Sequence, residues 1–204
     1  MESDGFQLVT SKKKSSRGQL RRQTLTKSTP PAANKPFQLQ DISELERKVR
    51  DCRQNLETKD SCFYWSKLQL EFRRLILDYK ESGSDRVSII CYGLGSVDEN
   101  LSARYQFALL LLLVDELKSM SKLDSVELFD PVFTPLDIHL FTHCYPFKLA
   151  HRNDQCFRPV GNDQAQLTIF YMPHCGKALY NNLLYSNWNL RSLRNMLILG
   201  KLCC

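Results

Sequence analysis

At 204 residues, with 43% apolar and 25% charged side chains, the chain has the length and composition of one globular domain with a tail. Its formal charge of +6 sits in residues 1–36, where eight Lys and Arg face only Glu2 and Asp4, so the remainder is close to neutral; this excludes a broad nucleic-acid footprint on the domain and leaves only non-specific contact through the tail. Eight cysteines without a Cys-x-x-Cys pair, and no apolar leader, point to reduced thiols in a cytosolic or nuclear protein, and the longest apolar run, Phe107 to Val114, falls far short of the roughly 20 residues of a membrane span.

Residues 1–36 mix Lys, Arg, Ser, Thr, Gln and Pro30-Pro31 without apolar periodicity, which predicts a disordered basic tail. Lys12-Lys13-Lys14 with Arg21-Arg22 fits both a solvated charge run and a nuclear import signal, and Arg21-Arg22-Gln23-Thr24 has the basic residues ahead of a hydroxyl that basophilic kinases favour. From Asp41 the pattern becomes helical: Ile42, Leu45, Val49, Cys52 and Leu56 share a face, with Ser43 and Glu46 placed as a capping box. A second stripe, Trp65, Leu68, Phe72, Leu75 and Tyr79, ends at Ser82-Gly83. Residues 37–83 therefore read as a helical segment packing on a domain that occupies 84–204, with a partner surface as the second use of the aromatic stripe.

The domain opens with a near-continuous apolar strand from Arg86 to Tyr92, which breaks into Gly93-Leu94-Gly95-Ser96 and leads into a helix from about Asp98 to Lys118. Further strands are expected at Val126–Phe129, ending at Asp130-Pro131, at Phe147–Ala150, at Leu167–Tyr171, broken by Pro173, and at Met196–Leu199. A short helix is expected within 135–143 and another over Lys177–Leu184. This alternation predicts the α/β class: a mostly parallel, Rossmann-like sheet with helices on both faces.

In such a sheet the β-to-α turns share the carboxyl edge, where ligands bind. Gly93, Gly95, Ser96, Asp130, His174 and Cys175 all fall at those turns. The Gly-Leu-Gly-Ser turn lacks the third glycine of a dinucleotide fingerprint; Asp98 stands in its place beside Glu99, and two carboxylates there repel a pyrophosphate. Asp130 suits either a ribose hydroxyl or an Asp-Pro turn that caps the next segment. His139 and His143, four apart, could share a helix face, and His174-Cys175 adds two donors, but no second closely spaced pair completes a metal site. Adjacent side chains usually diverge, which makes a Cys175 nucleophile with His174 as base geometrically awkward. Neither a cofactor nor a reaction follows from these residues.

Five motifs in order carry a family resemblance: Cys91-Tyr92-Gly93-Leu94-Gly95, the leucine-rich Gln106–Leu113, Asp130-Pro131-Val132-Phe133, Phe170-Tyr171-Met172-Pro173-His174-Cys175, and Leu179-Tyr180-Asn181-Asn182-Leu183-Leu184 with Asn187-Trp188. Over about residues 86–200 the chain resembles the Sensitivity to Red Light Reduced (SRR-like) family. The resemblance implies a regulator of circadian rhythm, clock-gene expression and haem biosynthesis that acts through protein partners, chiefly cytoplasmic with nuclear presence allowed. It implies no enzymatic reaction, and an enzyme with a nucleoside-type cofactor at the carboxyl edge is the alternative. Its motif residues on this chain are Gly93, Gly95, Asp130, His174, Asn181, Asn182 and Trp188. The family continues beyond Gly200 with further helices where this chain has Lys201-Leu202-Cys203-Cys204, so a shortened C-terminus that leaves one sheet face uncovered is expected.

Overall fold

The computed structural model describes residues 38–58, 62–81, 86–161 and 166–200. Five strands, β1 (Arg86–Tyr92), β2 (Lys122–Phe129), β3 (Lys148–Leu149), β4 (Gln166–Met172) and β5 (Met196–Gly200), form one all-parallel sheet in the order β3-β2-β1-β4-β5. The helices are α1 (Leu39–Thr58), α2 (Cys62–Glu81), α3 (Leu101–Met120), α4 (Pro135–His139), α5 (Lys177–Ser186) and α6 (Leu190–Arg194), and a π-helical turn, Leu140–Cys144, continues α4. From β1 the chain winds outward through β2 to β3, then crosses back to build β4 and β5 on the other side. That is the order of a doubly wound sheet, with its topological switch point between β1 and β4.

Alternation along the strands assigns the two faces. Val87, Ile89 and Cys91 of β1 join Val126 and Leu128 of β2 and Leu167, Ile169 and Tyr171 of β4 on one face, in a core completed by α1, α2, α3 and the α4 turn. The middle of α3, Leu110 to Val114, is buried all round because it lies between the sheet and the N-terminal helices. On the other face Tyr92, Phe170 and Met172 meet Leu183 of α5 together with Cys156 and Val160 from the irregular segment between β3 and β4. Among the described residues no helix is long and apolar enough to cross a membrane.

Several local readings differ from the structure. The Ser43-Glu46 capping box does not form, because α1 starts earlier: Asp41 Oδ2 accepts from the Gln38 N–H at 2.7 Å, and Ser43 Oγ donates back to the Leu39 carbonyl at 3.2 Å inside the helix. In α2 Ile76 is buried and Leu75 is 45% exposed, the reverse of the expected stripe. The rotation follows from an anchor on α3, the buried Glu116, whose carboxylate accepts from Arg73 Nε and from Gln69 Nε2. Helix α3 begins at Leu101 rather than Asp98, since Asn100 Oδ1 accepts from the Ser102 and Ala103 N–H groups and leaves residues 97–99 as a turn. Strand β2 starts at Lys122, four residues before the apolar signal, and α6 was not expected at all. The basic tail, the Ser82-Gly83 stop and the residues after Gly200 lie outside the described residues.

Candidate functional site

At the carboxyl end of β1 the backbone turns through Gly93 (φ +68°) and Gly95 (φ +78°), a left-handed conformation in which a side chain is strained. A Cβ on Gly93 would stand 2.9 Å from Cys175 Sγ and 3.2 Å from the His174 carbonyl carbon, so this glycine lets the turn after β4 lie directly on the turn after β1. The Gly95 N–H donates to Asp130 Oδ2 at 2.8 Å, and Asp130 Oδ1 accepts from the Val132 N–H at 3.1 Å. Asp130 thus joins the turns after β1 and β2. Ser96 is buried in the same loop, with its Oγ accepting from the Glu99 N–H at 3.1 Å.

A neighbouring carboxylate escaped the reading of the sequence. Asp137, fully buried at the start of α4, accepts from the Asp98 N–H at 2.8 Å and from the Thr134 N–H at 2.9 Å, while Thr134 Oγ1 accepts from the Asp137 N–H. The Thr-x-x-Asp spacing of a capping box was its only signal, and nothing local announces that the same side chain also holds the turn before α3. Burial and the adjacent Asp137 charge raise the Asp98 carboxyl above the usual range.

The crevice at the switch point is small, about 140 Å³, and is lined by Gly93, Gly95, Ala103, Gln106, Asp130 and His174. Gln106 reaches across from α3 to His174 Nδ1, and its Oε1 is buried without a partner. A nucleotide-sized ligand needs about 300 Å³ or more, so the space suits at most a few heavy atoms. The Gly95 amide that would face a phosphate already donates to Asp130. His174 and Cys175 diverge as adjacent residues should: the imidazole sits on Gln106 at the surface, while Cys175 turns inward and donates through Sγ to the Tyr92 carbonyl at 3.4 Å. His139 and His143 stack on each other at 4.2 Å between ring centres, and among the described residues no three His, Cys, Asp or Glu side chains converge.

The remaining motif residues lie away from this crevice. Helix α5 runs down the second face of the sheet from the turn that carries His174, so Trp188, just beyond its far end and 61% exposed, does not join the glycine turn. Asn182 Nδ2 donates to the Gln155 carbonyl at 3.0 Å, and Asn181 is half-buried on the same helix. The residue that organises this face is the wholly buried Asn187: its Oδ1 accepts from the Val160 N–H at 2.7 Å, and its Nδ2 donates to the carbonyls of Arg158 at 2.9 Å and Leu183 at 2.8 Å. Its signal was an Asn just past a helix end, a position that a plain C-cap explains equally well. Beside it the Tyr92 hydroxyl donates to Asp154 at 2.8 and 2.9 Å, and burial together with that carboxylate pushes the phenol well above its usual value. The neighbouring Cys175 thiol, together with burial, raises the Cys156 thiol well above its usual range.

The SRR1 domain model matches residues 43–202 of the chain. The chain is 39% identical over 119 residues to an SRR1-like protein of Mus musculus, an alignment covering 58% of this chain and 45% of that protein. It is 29% identical over 115 residues to the Arabidopsis thaliana protein SENSITIVITY TO RED LIGHT REDUCED 1, covering 56% and 39%, and 32% identical over 116 residues to an SRR1-like protein of Drosophila melanogaster, covering 55% and 37%. The matched region therefore spans less than half the length of each of these relatives. No solved structure matches the chain.

Proposed function

The chain belongs to the SRR1 domain family, and on that premise we propose that it is a regulatory protein of light or clock signalling that works through protein partners rather than by catalysis. Clock-gene expression and the control of haem biosynthesis are its proposed outputs, and the cytoplasm, with the nucleus as a second compartment, is its proposed location. The name of the Arabidopsis thaliana relative supports the light-signalling side of this reading. The observation that carries the non-catalytic side is the state of the switch-point crevice, where Asp130 occupies the Gly95 amide and Gln106 spans to His174, leaving about 140 Å³. A sheet of this order ordinarily binds its ligand at that point, and here Asp130 takes the Gly95 N–H and Gln106 takes His174 Nδ1.

One observation favours the alternative, an enzyme with a nucleoside-type cofactor: the left-handed Gly93 and Gly95 at the switch point are the backbone such a cofactor would approach. Two measurements on the same protein separate the readings. In cells lacking the endogenous SRR1-domain protein, this chain should restore the period of a clock reporter. Thermal scans of the purified chain with nucleotides, dinucleotides, S-adenosylmethionine and haem should show no stabilisation that depends on the switch-point residues Asp130 and His174. A ligand at 100 times its Kd adds about 2.7 kcal/mol, so a shift of several degrees with any nucleoside compound that is lost in Asp130→Ala or His174→Ala would overturn the non-catalytic reading.

A further inference from the structure

A second opening lies away from the switch point, beside the edge strand β3, with a volume of about 810 Å³. That is within the range of about 300–1,000 Å³ typical of small-molecule sites. Its apolar lining comes from Phe147, which belongs to the main core, from Leu149 on β3, and from Phe157, 41% exposed at the rim. The polar lining is unbalanced in sign. Glu127 is paired with Arg158 at 2.7 Å, and Asp154 accepts from the Tyr92 hydroxyl and the Cys156 N–H and lies 3.6 Å from Arg158. Both carboxylates are therefore engaged by groups of the fold. Lys148 and Arg152, exposed on the same opening, form no ion pair with any described residue, and His151 stands between Arg152 and the strand.

An opening with aromatic walls and two unmatched cations is complementary to a ligand that joins an apolar body to a single negative group. We propose that this opening is a binding site for a small amphipathic anion, its apolar ring system seated on Phe147, Leu149 and Phe157 and its carboxylate or phosphate held by Lys148 and Arg152. The site is separate from the switch-point crevice and independent of the reading that the protein acts through partners. Arg158 has a supporting role here: paired with Glu127 at 2.7 Å and 3.6 Å from Asp154, it offsets the carboxylates that would otherwise repel an entering anion.

The test is a titration of the full chain by isothermal calorimetry with 1-naphthyl phosphate, 1-naphthoate and the neutral 1-naphthol, at low and raised salt. One-to-one binding of at least one anion is expected, about tenfold or more tighter than the naphthol and weakened by salt. Which anion binds better tells phosphate from carboxylate. Lys148→Gln combined with Arg152→Gln should lower the anion affinity about tenfold or more and leave the naphthol affinity unchanged, which also reports that the variant is folded. Phe157→Ala should weaken all three. Equal affinity for naphthol and both anions, an anion affinity unaltered in the double variant, or no saturable binding of any of the three would overturn the proposal. So would saturable binding of an acidic aromatic peptide that the naphthyl anions fail to displace.

Discussion

On one face of the sheet, α1, α2, α3 and the α4 turn enclose twenty-three buried apolar side chains among the described residues, including the packed rings of Phe107 and Phe141 at 5.0 Å. On the other face seven such side chains lie under α5 and the irregular segment between β3 and β4. The first face is held by area. The second is held by polar side chains that stitch loop to helix: Asn187 to Val160 and Arg158, Asn182 to Gln155, and Tyr92 to Asp154. The comparison teaches that stability and adaptability are divided between the faces. A segment secured by a few hydrogen bonds opens at lower free energy than a helix under a full core.

The largest effect that could break this division is a cavity on the thick face. Phe107→Ala removes a ring that meets Phe141, Tyr145 and Phe147, and should cost about 3–5 kcal/mol in denaturant titrations, a large part of the roughly 5–15 kcal/mol a domain has. A loss below about 1 kcal/mol would show that the thick face is not the main source of stability. On the thin face Asn187→Ala leaves the Val160 N–H and two carbonyls without this partner and should cost about 2–3 kcal/mol. Its signature differs: hydrogen exchange should accelerate in residues 155–161 while α3 keeps its protection. Uniform acceleration would mean that the two faces open together.

The seam between the faces is the turn at Gly93. Gly93→Ala sets a side chain at φ +68° against Cys175 Sγ and the His174 backbone, and should cost about 1–3 kcal/mol, with exchange rising in both turns. Asn181→Ala is the matching control; with no side-chain hydrogen bond to any described residue and a better helix former in its place, it should change stability by less than about 0.5 kcal/mol.

The two faces were not equally legible in the sequence. The apolar periods of β1, β4, α1 and α3 were enough to place the sheet and the thick core, because burial writes itself as spacing. Strand β2 was cut short because Lys122 to Ser125 alternates at low hydrophobicity near the sheet margin. The polar stitches were not legible. Asp137, Asn187 and Glu116 are buried polar residues whose long-range partners lie 27 to 47 positions away, and no local pattern distinguishes them from surface residues. Of the candidate site residues, those at the β1, β2 and β4 turns came together as the parallel topology required, whereas Trp188 and the asparagines of α5 were grouped with them by motif alone and stand elsewhere.

The smallest expected effect sharpens the comparison from the thick side, at a point where burial and a like charge act on one carboxyl group. Asp98 sits in the turn before α3, its carboxyl raised above the ordinary 3.8 by burial and by the negative Asp137. The folded chain therefore holds this proton more tightly than the unfolded chain does. The resulting contribution to stability is fully present below about pH 4, where both states are protonated, and is lost as pH rises through the raised folded-state value. Asp98→Asn removes the ionisation and keeps the backbone N–H that donates to Asp137. At neutral pH the variant should be more stable than the parent by no more than about 0.5 kcal/mol, since the side chain is partly exposed and screened. The advantage should shrink to nothing as the pH falls toward 4 and should also diminish in high salt. An advantage that persists unchanged at acid pH would assign it to helix capping or solvation instead, and would leave the thick face without the strain ascribed to the Asp98 and Asp137 pair.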